Sequence, residues 1–351
     1  MKLFFNWLKK TFYREISENP QAVENLINRL FFPLIFIFPI ITLYTNFPGE
    51  PEIPFSPKKT YSFHGEPVIP IPASIKLNLK KVALGKEIFL SNKLSSDDSV
   101  SCNTCHDLTQ GGTIQKYIEG KVNPPTVFNS GNYYRNEGMS EEDSSFIASL
   151  HLVHYPEEFG DYKNNLNKLM NDPSIKNSLL QIYGKNIDIS MVNDSLKEFI
   201  ISLSTPNGRF DKYLKGDQNS ITEEEKEGFL LFKEVGCTSC HQGMNLGGNV
   251  THKIGINGSY LRDKETRTNL DFGLFNKTGR EEDKYKYKVP SLRNISITYP
   301  YLHDGRYNSL QEVIQKMSKY QLGRELTDDE AKKIVKFLGT LGGELNGKIL
   351  E

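Results

Sequence analysis

This sequence has little charge imbalance and little cysteine. Lys+Arg and Asp+Glu both number 43, so the formal net charge is zero, and no long basic cluster stands out. Nucleic acid is therefore not an expected partner. The four cysteines form two pairs, Cys102/Cys105 and Cys237/Cys240. They could close two disulfides, so their number alone decides nothing about their role.

The length of 351 residues is too great for one compact core and predicts about two domains. A content of 37% hydrophobic and 25% charged residues is typical of soluble globular protein. The exception is Leu30–Gly49, which carries no charge and whose apolar part is Leu30–Tyr44. As a helix, a stretch of this length just crosses a bilayer core of about 30 Å.

The uncharged stretch predicts a signal anchor in the inner membrane. Five basic residues precede it and place the N-terminus in the cytoplasm, so the chain after about residue 50 lies in the periplasm. No small-residue cleavage site follows, although a cleaved leader stays an alternative. A buried helix is the other alternative, against which Pro33 and Pro39 argue. Residues 1–49 are the expected tail and anchor, and the Pro-rich residues 50–72 the expected extended linker.

A weak internal repeat organises the remaining sequence. Each copy has a Gly-x-x-x-Phe step, a cysteine pair followed by His, a Gly-Gly pair and a closing amphipathic helix with one apolar face. The first copy contains Gly85, Phe89, Gly111, Gly112, Leu196, Phe199, Ile200 and Leu203, and the second Gly228, Phe232, Gly247, Gly248, Ile334, Phe337, Leu338 and Leu341. The repeat predicts a mainly α fold of two tandem domains, residues 73–215 and 216–351. Thr222 with Glu225, and Thr327 with Glu330, predict capping boxes.

Both cysteine pairs stand in a Cys-x-x-Cys-His motif, 102–106 and 237–241. Thiols at i and i+3 share one side of a helical turn, so both can form thioethers to one porphyrin while the next His binds the iron. This is the signature of c-type haem attachment. A zinc site would need the pairs much closer in sequence, and a thioredoxin-like pair does not need the His. The sequence therefore predicts two covalently bound c-type haems, with local disulfides as the alternative.

Longer segments resemble the bacterial di-haem cytochrome c peroxidase family, from about Leu79 to Leu345. The matching segments are Leu94–Ser95, Ser101–Asp107, Phe210–Gly216, Gly236–Gly243, Lys288–Asn294, Tyr299–Gly305 and Gln321–Arg324. The resemblance implies two cytochrome c-like domains, with peroxide reacting at the N-terminal haem and electrons entering at the C-terminal haem. The electron donor would be a small cytochrome c or a cupredoxin. Whether the protein is a homodimer is left open.

The resemblance also implies the iron ligands and the acid/base. Cys102, Cys105, Cys237 and Cys240 would attach the haems, and His106 and His241 would be the proximal ligands. Met317, which by itself would more often be core packing, matches the distal ligand of the C-terminal haem. Glu158 matches the group that moves a proton while the O–O bond of hydrogen peroxide breaks, and Glu157 is its competitor.

A calcium ion between the domains is a further implication of the resemblance. Asn123, Thr298 and Pro300 match the positions whose oxygens bind it, and oxygen ligands are those that calcium prefers. Ordinary turn residues are the alternative. His303, in His-Asp-Gly, also matches a family position, but no role is assigned to it.

Three family features are missing from the sequence. The loop from Asp107 to Asn123 has no His for the distal side of the first haem. Either that side is open, or His151 or His154 fills it. The family Trp between the haems is absent, since Trp7 is the only tryptophan; Tyr133 or Tyr134 are candidates for its role. The Gln that commonly precedes the catalytic Glu has no clear counterpart.

Two other functions stay open. One is a protein-oxidising enzyme like the methylamine-utilisation di-haem enzyme, which has an open first haem and a Tyr where Met317 stands. The missing distal His favours this function, and Met317 argues against it. The other is a di-haem electron carrier that does not react with peroxide.

Overall fold

Helices carry most of the regular structure, which confirms the mainly α fold. The computed structural model describes residues 65–117, 121–132, 162–258, 260–261 and 267–350, all of which lie in one compact unit, Ser62–Glu351. Within these ranges no helix is both long and apolar enough to cross a membrane. The predicted anchor, Leu30–Tyr44, lies outside the described residues.

The α-helices in the described ranges are, in chain order, α1 Leu79–Leu90, α2 Cys102–Cys105, α3 Tyr162–Asn171, α4 Pro173–Tyr183, α5 Ile189–Ser202, α6 Arg209–Leu214, α7 Glu223–Glu234, α8 Phe275–Thr278, α9 Leu310–Met317 and α10 Asp328–Gly339. Short 3₁₀ segments are Asn92–Leu94, Cys237–Ser239, Asn269–Phe272, Glu281–Asp283 and Ile295–Ile297. A π-helical turn, Ser318–Leu322, follows α9. Two antiparallel ribbons pair β1 Thr251–Lys253 with β2 Lys286–Lys288, and β3 Glu344–Leu345 with β4 Lys348–Ile349.

Each copy of the repeat builds a pair of closely packed helices. Helix α1 packs on α5, and α7 packs on α10. A Cβ atom at Gly85 would lie 2.0 Å from the carbonyl oxygen of Ser195, and one at Gly228 would lie 2.0 Å from that of Lys333. The glycine of the Gly-x-x-x-Phe step is therefore required because the partner helix touches its backbone.

Two apolar clusters surround these helix pairs. The first involves α1, α3, α4 and α5, with the rings of Phe89 and Phe199 edge to face at 5.3 Å between centroids. The second involves α6, α7 and α10, with the rings of Phe229 and Phe337 at 5.0 Å. The apolar faces predicted for α5 and α10 are confirmed, since all their predicted residues are buried. The domain boundary at residue 215 stays a prediction.

Capping boxes begin two helices of the second cluster, as predicted. The backbone N–H of Thr222 donates to Glu225 Oε2 at 2.8 Å, and that of Thr327 donates to Glu330 Oε2 at 2.9 Å. Both Thr side chains accept from the backbone N–H three residues later. The first turns of α7 and α10 each carry three acidic residues, which favourably face the positive ends of the helix dipoles.

The last residues of the predicted linker are part of the folded unit. Val68 and Ile71 are fully buried, and the backbone N–H of Gly243 donates to the carbonyl of Pro67 at 2.8 Å. The prediction of an extended linker over residues 50–72 is therefore wrong for Val68 and Ile71. The reason is that apolar side chains between the prolines gain more by burial than by exposure on a tether.

The β3–β4 ribbon returns the chain to the first apolar cluster. Leu345 and Leu350 pack against that cluster, which is otherwise built from residues before 204. The backbone N–H of Glu344 donates to the carbonyl of Pro206 at 2.8 Å. A Cβ atom at Gly343 would lie 1.9 Å from the carbonyl oxygen of Thr205, so the two backbones touch here as well.

Replacing Gly228 by Ala is expected to destabilise the protein by about 1–3 kcal/mol, because α7 and α10 must separate to admit the methyl group. The matched control is Gly339→Ala on α10, where a Cβ would meet nothing within 4 Å. This control should stabilise the protein by about 0.4–1 kcal/mol through the unfolded state. Urea unfolding of both variants measures the difference, and equal effects would contradict the close-contact explanation.

Candidate functional site

The first Cys-x-x-Cys-His motif forms one α-helical turn, α2. The backbone N–H of Ser101 donates to Thr104 Oγ1 at 3.0 Å at the start of the turn. The backbone N–H of His106 closes the turn on the carbonyl of Cys102 at 2.9 Å. His106 is buried, at 7% exposure. The turn gives the two cysteines the i, i+3 helical spacing that attachment to one porphyrin requires.

The second motif forms a 3₁₀ turn with the same closing hydrogen bond, from the His241 N–H to the Cys237 carbonyl at 2.9 Å. His241 Nδ1 donates to the carbonyl of Leu246 at 2.9 Å. This bond selects the tautomer that leaves the Nε2 lone pair available to a metal. Burial lowers the pKa of His241, which favours the neutral imidazole that metal binding needs.

All four cysteines are free thiols, so the predicted alternative of local disulfides is not found. Burial raises the pKa of Cys102 to about 12 and that of Cys237 to about 12. A thiol redox pair needs a lowered pKa, so these values argue against thioredoxin-like chemistry. Two thiols at i and i+3 with an adjacent His, present in both motifs, are a donor set that fits a c-type haem.

A Gly-Gly pair turns the chain back after each motif. Gly111 and Gly112 have φ of +74° and +72°, and Gly247 and Gly248 have φ of +135° and +86°. A Cβ at Gly247 would lie 2.1 Å from the Pro290 carbonyl oxygen and 3.3 Å from His241 Nδ1. The second loop therefore passes so close to the His241 ring that a side chain has no room.

Met317 is the last residue of α9, and the backbone changes to the π-helical turn directly after it. Ile314 of α9 packs on the same apolar cluster as Cys237. Leu322, at the end of the turn, lies beside Gly236, 3.9 Å from the position of a Cβ there. The structure thus places the segment that carries Met317 against the second motif, and π-helical turns frequently mark functional sites.

Two of the three residues predicted to bind calcium are in contact. Asn123 Nδ2 donates to the carbonyls of Pro300 at 2.7 Å and Leu302 at 3.0 Å. The Thr298 hydroxyl instead donates to the carbonyl of Ile295 at 3.3 Å. The segment after Thr298 is therefore close to Asn123, while the Thr298 side chain is turned into its own 3₁₀ segment.

His303 pairs with a carboxylate that the sequence did not single out. Its Nε2 lies 2.8 Å from Asp271 Oδ1, and the Tyr287 ring packs on the imidazole with centroids 4.5 Å apart. The Tyr287 hydroxyl donates to the backbone carbonyl of Asp271 at 2.7 Å. These contacts hold His303 in one orientation next to the Asn123 contact, where the His303 carbonyl accepts from the Asn123 backbone N–H at 2.8 Å.

Several predicted residues lie outside the part of the chain that the structure describes. Their geometry therefore stays a prediction: Tyr133, Tyr134, His151, His154, Glu157 and Glu158.

Sequence reasoning missed a group of five buried polar residues, here called the amide cluster: Asn129, Asn132, Thr205, Asn245 and Asn294. Asn129 Nδ2 donates to Thr205 Oγ1 at 2.7 Å, and Asn294 Nδ2 donates to the same oxygen at 3.1 Å. Asn132 Nδ2 donates to Asn245 Oδ1 at 3.1 Å. The only signals in the sequence were the position of Asn129 directly after the apolar Val127 and Phe128, and the position of Asn294 at the end of the family-like segment Lys288–Asn294.

Two haem-attachment motifs on a mainly helical fold define a di-haem c-type cytochrome. A family model described as di-haem cytochrome c peroxidase matches residues 79–219. The cytochrome c551 peroxidase of Nitrosomonas europaea is 35% identical over 294 residues, which cover 80% of this chain and 85% of that protein. The chain therefore belongs to the bacterial di-haem cytochrome c peroxidase family.

Two further comparisons agree with this assignment. The cytochrome c peroxidase Ccp of Escherichia coli is 34% identical over 289 residues. The aligned region covers 79% of this chain but only 61% of that protein. A solved structure of a MauG-like protein associated with microbial copper homeostasis superposes with a TM-score of 0.59 at 20% identity. The superposition covers 79% of this chain and 93% of the other, and it shows a shared fold.

Gly247→Ala is expected to distort the His241 loop, because the new Cβ would lie 2.1 Å from the Pro290 carbonyl oxygen. The control is Gly216→Ala, which also has a positive φ but meets nothing within 4 Å. Both variants carry the backbone strain of about 1–3 kcal/mol, and only Gly247→Ala adds the clash. We expect a larger loss of unfolding free energy in Gly247→Ala and an altered absorption spectrum of the haem that the second motif is predicted to hold. Equal stability and an unchanged spectrum would contradict the role of this contact.

Proposed function

We propose that this protein reduces hydrogen peroxide to water with electrons from a small cytochrome c or cupredoxin. The observation that carries the proposal is the pair of Cys-x-x-Cys-His turns, each closed by the same hydrogen bond, in a chain 35% identical to a named cytochrome c551 peroxidase. Cys237, Cys240 and His241, with Met317, would hold the haem at which electrons enter. Cys102, Cys105 and His106 would hold the haem at which peroxide reacts.

Bound in these sites, the haems supply one-electron redox chemistry. The protein's part is to orient the ligands and to move protons. The bond from His241 Nδ1 to the Leu246 carbonyl at 2.9 Å orients that imidazole and increases its basicity. Reduction of peroxide consumes two electrons and two protons and breaks the O–O bond. Glu158 is proposed to deliver a proton to the departing oxygen.

Met317 favours the peroxidase over the protein-oxidising alternative. The methylamine-utilisation di-haem enzyme, which represents that alternative, has a Tyr at the position of Met317. A Met ligand raises the potential of a haem and suits the acceptance of electrons. The packing of α9 and the π-helical turn against the second motif supports Met317 as that ligand.

We also propose that a calcium ion binds near Asn123, Thr298 and Pro300. The contact of Asn123 with the Pro300 and Leu302 carbonyls supports it, because carbonyl oxygens gathered in this way are calcium ligands. Cation binding would require the Asn123 amide to turn its oxygen toward the ion. Thr298 would contribute its carbonyl, since its hydroxyl donates to Ile295.

Export and membrane anchoring through Leu30–Tyr44 also belong to the proposal. The support is the uncharged stretch itself and the five basic residues before it. The haem domains would then lie in the periplasm, where a soluble donor can reach them.

The test of function mixes the haem-loaded protein, fully oxidised or pre-reduced, with reduced cytochrome c and hydrogen peroxide and follows oxidation of the donor. Turnover of the oxidised protein is expected if the distal side of the first haem is open. Turnover only after pre-reduction would indicate a distal ligand, with His151 and His154 as the first to replace. No turnover in either state, with cytochrome and cupredoxin donors both tried, would overturn the proposal.

In the same assay, Glu158→Gln should lower kcat by about a hundredfold or more, because proton delivery is lost. The neighbouring Glu157→Gln is the matched control and should turn over like wild type. Haem content, measured by the pyridine haemochrome spectrum, should stay at two per chain in both variants. Unchanged turnover of Glu158→Gln would remove this residue from the mechanism.

Met317→Leu should abolish the far-red charge-transfer band of a Met-ligated ferric haem and lower the potential of the His241-ligated haem. The control Met170→Leu makes the same substitution at a residue that packs against the first apolar cluster. It should leave both the band and the potential unaltered. If Met317→Leu keeps the band, another residue is the distal ligand.

A further inference from the structure

The Asn245 side chain connects, by hydrogen bonds, the two haem-motif loops, which are the segments that follow the first motif (107–132) and the second motif (242–248). Its Nδ2 donates to the backbone carbonyl of Asn129 at 3.0 Å, and its Oδ1 accepts from Asn132 Nδ2 at 3.1 Å. All three residues are at most 3% exposed. Both ends of the Asn245 amide are thus satisfied by partners that follow the first motif, while Asn245 itself follows the second. A buried amide in this position strongly favours one arrangement of the two loops, because any other leaves polar groups unpaired.

On one side, Asn245 leads directly to His241. The next residue, Leu246, provides the carbonyl that accepts from His241 Nδ1 at 2.9 Å. The carbonyl of Asn245 itself accepts from Ser291 Oγ at 3.0 Å and from the Leu292 backbone N–H at 3.1 Å. Asn245, the residue directly before the one that orients the imidazole, is therefore held through both its side chain and its backbone carbonyl.

On the other side, Asn129 leads back to the first motif. Val127, two residues before it, donates its backbone N–H to the Gly112 carbonyl at 3.0 Å. Gly112 in turn donates to the carbonyl of Asp107 at 2.9 Å, and Asp107 directly follows His106. Covalent bonds and four hydrogen bonds thus form one continuous connection from the His106 peptide to the His241 ring.

We infer that Asn245 is a positioning residue for electron transfer between the two haem sites. It fixes the loop of one proximal histidine against the loop of the other, and it supplies a bonded path between them in a chain that lacks the family Trp. Electron tunnelling falls steeply with separation and with breaks in the bonded path, so a shift of this contact must slow it. The inference rests on the two haems of the proposed function.

The test uses the haem-loaded full chain without peroxide. An electron is injected by flash photoreduction, and the rate at which it equilibrates between the two haems is followed in their absorption bands. Midpoint potentials of both haems are measured in each variant, so that rates are compared at equal driving force. Haem content and the Met-ligation band are recorded alongside.

Asn245→Leu keeps the approximate shape and removes both side-chain hydrogen bonds. We expect it to slow equilibration by at least about tenfold, as small displacements of reacting groups do, with two haems per chain retained. The control Thr205→Val removes the hydrogen bonds that Thr205 Oγ1 accepts from the Asn129 and Asn294 side chains, within the same amide cluster. It leaves both hydrogen bonds of the Asn245 side chain in place. It should lose stability yet equilibrate at the wild-type rate.

A wild-type rate in Asn245→Leu would overturn the inference, and so would equal slowing in Thr205→Val. If Asn245→Leu takes up no haem, Asn132→Ala serves instead, since it removes only the donor to Asn245 Oδ1 and should slow equilibration to a smaller extent. An unchanged rate in Asn132→Ala would then decide against the inference. Wild-type protein that equilibrates electrons but does not reduce peroxide would sink the proposed function alone.

Discussion

A buried ion pair between Arg293 and Asp211 joins the chain segments around the second haem motif. Arg293 Nη2 lies 2.9 Å from Asp211 Oδ1, at side-chain exposures of 1% and 0%. Arg293 also donates to the carbonyls of Met244 at 2.8 Å and Ile69 at 3.1 Å, while the Ile71 backbone N–H donates to Asp211 Oδ1 at 3.2 Å. Loss of one partner from such a pair typically costs about 3–5 kcal/mol, because the remaining charge stays buried. The ion pair therefore holds together the four chain segments that contain Ile69 and Ile71, Asp211, Met244 and Arg293.

The candidate site is connected to this ion pair through three consecutive residues, Met244 to Leu246. Met244, whose carbonyl Arg293 holds, directly precedes Asn245, and Leu246 follows with the carbonyl that orients His241. The His241 ring is thus held by the Leu246 carbonyl, and the two residues before Leu246 are held in turn, Asn245 by its buried side-chain amide and Met244 by the buried Arg293 guanidinium. Such outer contacts decide how firmly a metal ligand is oriented, and here they come from residues far apart in sequence.

The features that could be predicted from the sequence are local ones. The two Cys-x-x-Cys-His turns, the Gly-x-x-x-Phe helices and the capping boxes depend on residues a few positions apart, so spacing reveals them. The burial of Val68 and the Arg293–Asp211 pair depend on contacts between distant segments, which no periodicity encodes. The π-helical turn after Met317 could not be predicted for another reason. An apolar pattern with helical period does not distinguish a π turn from an α turn.

The return of the β3–β4 ribbon to the first apolar cluster has a consequence for how the protein comes to be folded. Leu345 and Leu350 fill the edge of a cluster whose other members all precede residue 204. The edge of this cluster is therefore complete only when the C-terminal residues are in place, although its helices come much earlier in the chain. Domains generally fold as units. Because the C-terminal ribbon covers the first cluster, that cluster and the C-terminal end of the chain are expected to unfold together rather than one after the other.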